Sequence, residues 1–250
     1  MIKVDVNCDL GESFGPYVMG MDAKIMPYIS SANIACGFHA SDPMVMAETV
    51  KSAEQHGVAL GAHPGLPDLI GFGRRDMVIS PEEAKNDVKY QVGALAAFSK
   101  TGKLHHVKPH GALYNMAARD YHLALAICEA IKEVDPDLIL YGLAGSELIR
   151  AARDINLPYA QEVFADRHYQ DDGTLVPRSQ PNALIEDEAL AVERMVKLVE
   201  EGNIQTLSGK WIELQPDSIC VHGDNPKAVQ FTNRLYTTLN KRGITVSSAI

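Results

Sequence analysis

The sequence predicts an α/β protein built on a parallel sheet. Short apolar runs rich in β-branched residues alternate with longer segments of helical period, and the alternation continues to the C-terminus. That order implies helical crossovers between parallel strands, in a sheet that is either open and doubly wound or closed into a barrel. Across 250 residues there is no Pro/Gly/Ser linker, repeat or low-complexity segment, which favours one domain over 1–250.

The elements follow in order. The first strand candidate is IKVDVNC (2–8) and the second is SANIAC (31–36). A helix then opens with Asp42 and Pro43 and closes at Gly57, leading into the third strand candidate, GVALGA (57–62). The next helix has the fullest start signal: Ser80 as N-cap, Pro81 at the first helical position, Glu83 completing a capping box, and Gly102 as the stop. LHHVKP (104–109), LILYGLA (138–144), YAQEVFA (159–165) and SICVHG (218–223) complete seven strand candidates. A last helix is signalled by Asn225, Pro226 and Gly243. The longest loop, 166–182, is too polar and too long for a plain connection and suits a lid.

An apolar fraction of 46% and a charged fraction of 22% are those of an ordinary soluble globular protein. A net charge of −9 without any long basic run argues against a grip on nucleic acid. Cys8, Cys36, Cys128 and Cys220 form no C-x-x-C pair and sit in apolar stretches, as buried free thiols of a reducing compartment do. The N-terminus reads as a strand without a secretory apolar region, and no run approaches the roughly 18 apolar residues of a membrane span. A cytoplasmic location without membrane contact is expected.

Chemistry-bearing residues cluster where the strand candidates end. The first is followed by Asn7, Asp9 and Glu12, and the second holds Asn33 and leads to Cys36 and His39. The third leads to His63, the fourth to Lys108 and His110, and the sixth to Glu162, Asp166 and Arg167; His222 and Asp224 end the seventh. Only the fifth ends without one. A parallel barrel brings all strand C-termini to one face, so these groups would converge there. Each alone has an ordinary structural explanation: a helix cap at Asp9, a satisfied core histidine at His63, a snorkelling amine at Lys108. Six strand ends of seven point to an active site.

Asp9, His39 and His63 are of the types that hold a divalent metal with open positions for water. Their wide spacing forms no ligand signature, and the alternative is that Asp9 orients a histidine with no metal. Lys108 suits a developing oxyanion or a phosphoryl oxygen. Asp9 or a histidine suits a general base, and sequence leaves that choice open. In GFGRRDM (71–77), glycine N–H groups and the pair Arg74 and Arg75 suit an anion, although arginines tied to acidic neighbours would look the same. No P-loop or G-x-S-x-G is present, and Cys36 lies in an apolar strand, so covalent catalysis is set aside.

DVNCDLGESFG, SSANIACGFHASDP, GAHPGLPDLIGFGRRDM, HVKPHGALYN, EVFADRHYQDDGTLVPR and CVHGDNPKAV occur in order from residue 4 to the last strand. Together they resemble the successive motifs of the 5-oxoprolinase A-subunit family, also called the LamB/YcsF lactam-utilisation family. Departures from its pattern are Ser41 and Asn182, where glycine is usual, and Gly65, where serine is usual. The resemblance implies an irregular seven-stranded parallel β/α barrel of the glycoside hydrolase/deacetylase type. It also implies ATP-dependent opening of the 5-oxoproline (pyroglutamate) lactam to L-glutamate, with partner subunits B and C. ATP is the implied cofactor, and a divalent metal, as Mg with ATP or bound at the site, is the candidate the residues add. Read together, residues and resemblance assign catalysis to Asp9, His39, Lys108 and His110. Substrate or phosphate binding falls to Asn7, Asn33, Arg74, Arg75, Glu162, Asp166, Arg167, His222 and Asp224, and candidate metal ligation to Asp9, His39 and His63. Two other readings stay open: a metal-dependent deacetylase or amidohydrolase on the same barrel, and a non-catalytic ligand-binding subunit.

Overall fold

The computed structural model describes residues 2–177, 180–185, 187–223 and 226–250. The strands are β1 (Lys3–Leu10), β2 (Ser31–Ala35), β3 (Ala59–His63), β4 (His106–Val107), β5 (Ile139–Leu143), β6 (Tyr159–Phe164), β7 (Asn203–Gln205), β8 (Trp211–Glu213), β9 (Ser218–Val221) and β10 (Thr245–Val246). All pairings in the order β1-β2-β3-β4-β5-β6-β9 are parallel, and β9 pairs back to β1, so seven strands close a barrel. The seven strand candidates are those seven strands. Beyond them, β10 adds to the start of β1, and β7 and β8 form an antiparallel hairpin.

Helices α1 (Asp22–Ile25), α2 (Pro43–His56), α3 (Pro81–Ala96), α4 (Gly111–Ala117), α5 (Tyr121–Val134), α6 (Glu147–Asp154), α7 (Glu188–Glu201) and α8 (Pro226–Lys241) make the outer layer. Their starts are set by local chemistry. Asp42 accepts hydrogen bonds from the Met44 and Val45 amides, and Ser80 and Glu83 form the reciprocal capping box. Asn225 lies outside the described residues. Ser41 and Asn182 both have left-handed backbones, at φ 76° and 62°, where glycine would be free of strain.

Strand alternation sorts polar from apolar residues in an unusual direction. Val4, Val6, Cys8 and Leu10 of β1 join the apolar layer beneath the helices, while Asp5, Asn7 and Asp9 face the barrel interior. The interior is therefore polar, and its groups are matched. Asp5 accepts from the hydroxyls of Ser30, Ser31 and Ser218. Above it, Asn7 donates to Glu162 at 2.9 Å, and Asn33 donates to Asn7 at 2.7 Å. His106 lies across the middle, 2.7 Å from the Asn33 amide oxygen and stacked on Tyr141 at 4.2 Å. Gly61 makes room for it: a Cβ there would meet the His106 ring at 2.0 Å.

The fourth strand is much shorter than its sequence suggested. Pro109 has no N–H to continue the ladder, so only His106–Val107 pair as a strand; the Lys108 and His110 amides still bond to the Ala62 and Pro64 carbonyls at 2.9 and 2.8 Å. The chain then turns into α4, leaving Lys108 and His110 on the upper face. No helix among the described residues is long and apolar enough to cross a membrane.

Candidate active site

The C-terminal ends of the strands open into a cavity of about 520 Å³, with Asp9, His63, Lys108 and His110 in its lining. Lys108 stands at its base, 2% exposed. Its ammonium lies 2.7 Å from Glu162, 3.0 Å from Asp9, 3.1 Å from the Asn7 oxygen and 3.2 Å from the Cys220 sulfur. Burial opposes that charge, but Asp9, Cys220 and Glu162 outweigh it and hold the lysine pKa well above its ordinary value. Asp9 is the reciprocal case: burial works against its ionisation, yet His63 and Lys108 keep its carboxyl well below the usual range. Glu162 also accepts from the Tyr114 hydroxyl at 2.7 Å.

Beside this ion cluster stand three histidines and Glu12. His63 Nδ1 is 2.7 Å from the Lys108 carbonyl, and His110 Nε2 is 2.8 Å from the Phe72 carbonyl. A carbonyl only accepts, so each of those nitrogens carries the ring proton. In the neutral rings the remaining nitrogens, His63 Nε2 and His110 Nδ1, face each other as lone pairs 2.9 Å apart. Two lone pairs at that distance call for an electrophile, either a proton or a metal cation.

Orphaned donors nearby favour the metal. His39 is fully buried, neither of its ring nitrogens has a hydrogen-bond partner, and Glu12 Oε1 has none. Glu12 Oε1 lies 3.6 Å from His39 Nε2 and 3.7 Å from His110 Nδ1. One donor atom from each of Glu12, His39, His63 and His110 falls within 4.8 Å of all the others. Three imidazoles and a carboxylate fit a divalent ion. Burial, with a neighbouring histidine in each case, pushes the His39 and His110 pKa values well below the ordinary imidazole value, the state a metal ligand needs. Of the expected metal set, His39 and His63 are in this group, and Asp9 Oδ2 sits 3.3 Å from His63 Nε2.

The LamB/YcsF family matches residues 4–250 of the chain. The chain belongs to that family. It is 55% identical to the 5-oxoprolinase A-subunit of Clostridium beijerinckii, over 98% of this chain and 97% of that one. It is 56% identical to the 5-oxoprolinase A-subunit of Bacillus subtilis, over 99% and 97%. The lactam utilization protein of Thermus thermophilus superposes with a TM-score of 0.94 at 45% identity, covering 99% of this chain and all of that one. A deacetylase, 13% identical with a TM-score of 0.51, shares the fold alone.

In this LamB/YcsF protein the arginines of GFGRRDM part ways. Arg75 is bound to Asp68, whose carboxyl is pulled down to about 2 by that contact, and Asp68 also caps the turn through the Gly71 amide at 2.9 Å. Arg74 instead lines the cavity, its guanidinium 5.0 Å above the Phe72 ring. Arg167 also lines it and donates to the Val176 carbonyl at 2.5 Å. His222 is on the cavity wall with Nδ1 3.1 Å from Asp166. Asn7, Asn33 and Glu162 lie beneath the floor and order Asp9 and Lys108. Asp224 lies outside the described residues. Cys36 is buried, with its thiol pushed up to about 12 by burial, as an inert thiol is. The long loop forms a wall through Gln170, Thr174, Leu175 and Pro177, anchored by Tyr169, whose hydroxyl accepts from the Phe164 amide at 2.8 Å.

Sequence reasoning placed Glu12 near the site without ranking it, and missed Tyr114, Asn115, Arg119 and Gln91. Gly111 and Asn115, four residues apart, share a face of α4, and Arg119, in the turn that follows the helix, lines the cavity with them. Gln91 left no local signal. From α3 it bonds both the amide and the carbonyl of Gly65 at 2.9 Å, fixing the loop against His39.

Proposed function

We propose that this protein is one component of an ATP-dependent 5-oxoprolinase of the cytoplasm, opening the 5-oxoproline lactam to L-glutamate together with subunits B and C. The observation that carries this is the four-donor centre, two of whose members, His63 and His110, line the cavity, in a chain 55% identical over nearly its whole length to a protein named as the A-subunit of 5-oxoprolinase.

A γ-lactam resists water because amide resonance strengthens its C–N bond and lowers the electrophilicity of its carbonyl. Transfer of the ATP γ-phosphoryl group to the carbonyl oxygen, releasing ADP, makes that carbon electrophilic. Water then adds to the carbon and loses a proton. The C–N bond breaks as the nitrogen gains a proton, leaving an acyl phosphate. A second water releases inorganic phosphate and L-glutamate. Two waters and one ATP are consumed per glutamate.

The residues divide this work. Glu12, His39, His63 and His110 would hold a divalent ion, which supplies Lewis-acid polarisation of an oxygen when bound. Asp9, kept ionised by Lys108, accepts a hydrogen bond from the attacking water and orients it. Lys108 provides the fixed positive charge beneath it. Arg74 and Arg167 face the phosphoryl oxygens from the cavity wall. His222, held by Asp166, delivers the proton to the departing nitrogen.

The test is to measure ATP consumption against glutamate formation, with this chain alone and then with its partner subunits. Matched glutamate and ADP only in the full set is the expected result. Release of acetate or ammonia from amide substrates without ATP would instead favour the deacetylase or amidohydrolase reading.

A further inference from the structure

Among the described residues, two arginines of the cavity make no ion pair with a carboxylate. Lys108 is balanced by Asp9 and Glu162, and Arg75 by Asp68. Arg74 and Arg119 line the cavity, and among the described residues neither takes part in an ion pair. The two are joined by a continuous wall. The Ala112 amide donates to the Gly73 carbonyl at 2.8 Å, which ties the Arg74 loop to the start of α4. A Cβ on Gly111 would lie 3.6 Å from Arg74 Cγ. Asn115, on α4, and Arg119, in the turn after it, continue the lining.

Arg119 is directed by its own backbone turn. Its Nε donates to the Asn115 carbonyl at 3.3 Å, which leaves both terminal nitrogens of the guanidinium for a ligand. Asn115 donates one amide hydrogen to the Gly111 carbonyl at 3.0 Å, so its amide oxygen stays available as an acceptor. The carbonyl that steers Arg119 lies five residues beyond His110, on the order of 7.5 Å along a helix axis. That is about the span of a five-membered lactam ring with its attached carboxylate.

We propose that Arg119, with Asn115, is the specificity element that reads the substrate: the guanidinium fork takes the carboxylate of 5-oxoproline, and the Asn115 amide oxygen takes the lactam N–H. The inference rests on the 5-oxoprolinase reading and adds the residues that select a carboxylated lactam. A fork of two parallel N–H groups matches a carboxylate, whereas a lysine would offer a point charge. The carboxylate is bound equally before and during the reaction, so its loss acts on KM.

The test uses the complete complex with 5-oxoproline as substrate and the uncharged carboxamide analogue of 5-oxoproline as inhibitor. Arg119→Gln should raise KM for 5-oxoproline tenfold or more, change kcat less than threefold, and leave the Ki of the carboxamide within twofold. Arg119→Lys should recover part of the lost KM. An unchanged KM would overturn the proposal, as would an equal shift for both compounds, since that reports a change of cavity shape rather than lost charge recognition. A fall in kcat at constant KM would also overturn it, by placing Arg119 on phosphoryl charge instead of the carboxylate. If the wild-type complex makes no glutamate from 5-oxoproline, the 5-oxoprolinase reading itself fails, which separates the two results.

Discussion

At the scale of single residues, Lys108 shows how charge is stored for use. It is buried between two carboxylates, an amide oxygen and a thiol, so its three N–H groups are already engaged and its role is to fix the charge of Asp9. Removing it leaves two acidic groups without their cation in a site screened from water. Lys108→Ala should destabilise the protein by about 3–5 kcal/mol and lower turnover of the complex by about two orders of magnitude or more. Adding Glu162→Gln should restore part of the stability but not the turnover; denaturant melts and glutamate assays on both variants check this, and near wild-type turnover in Lys108→Ala would refute the role. Lys108 and His110 were legible in the sequence because they end an apolar run at the lip of a strand. The tautomer conflict between His63 and His110 was not, since it depends on the Phe72 carbonyl, carried by a loop far away in sequence.

At the scale of elements, β4 is the shortest strand of the barrel, at two residues, and sets the His106 ring across its interior. His106 is fully buried, and burial first, then the charges of His105 and Lys108, hold its pKa well below the ordinary imidazole value. It stays neutral in the folded protein while the unfolded chain takes up a proton below about pH 6.5. Its contribution is therefore complete above that pH and is lost as pH falls below it, by about 1.4 kcal/mol per pH unit. His106→Gln keeps a donor for Asn33 and cannot titrate. The stability of the wild type relative to this variant should fall between pH 6.5 and 5.5 in paired denaturant melts; a difference independent of pH would contradict a neutral buried His106. The strand itself was readable from its apolar run, but its length was not, because Pro109 ends the ladder while isolated amide bonds carry the chain onward. The β7 and β8 hairpin was also unread: at three residues each, its strands are too short for an alternation to register.

At the scale of the molecule, the barrel interior is polar where β1, β2, β4 and β9 line it, with a small apolar cluster of Ile139, Tyr141 and Ala160 on β5 and β6. Strand order and the convergence of the strand ends were legible because each candidate strand but the fifth finished in polar residues, and parallel closure sends those ends to one face. What the ring does with them was less legible, since donors from the ends of β1, β2, β3 and β4 meet only through closure, and Glu12, His39, His63 and His110 share no local spacing. The same closure buries the three histidines and sets the partly exposed Glu12 beside them, so four donor atoms face one another where an ion can sit. The most direct measurement is the metal content of the purified chain, set beside glutamate formation by the complex, for the wild type and for Glu12→Gln and His39→Ala. The account predicts about one divalent ion per chain in the wild type, loss of that ion in both variants, and turnover falling in step with it. Full ATP-dependent glutamate formation by metal-free protein in the presence of chelator would contradict it.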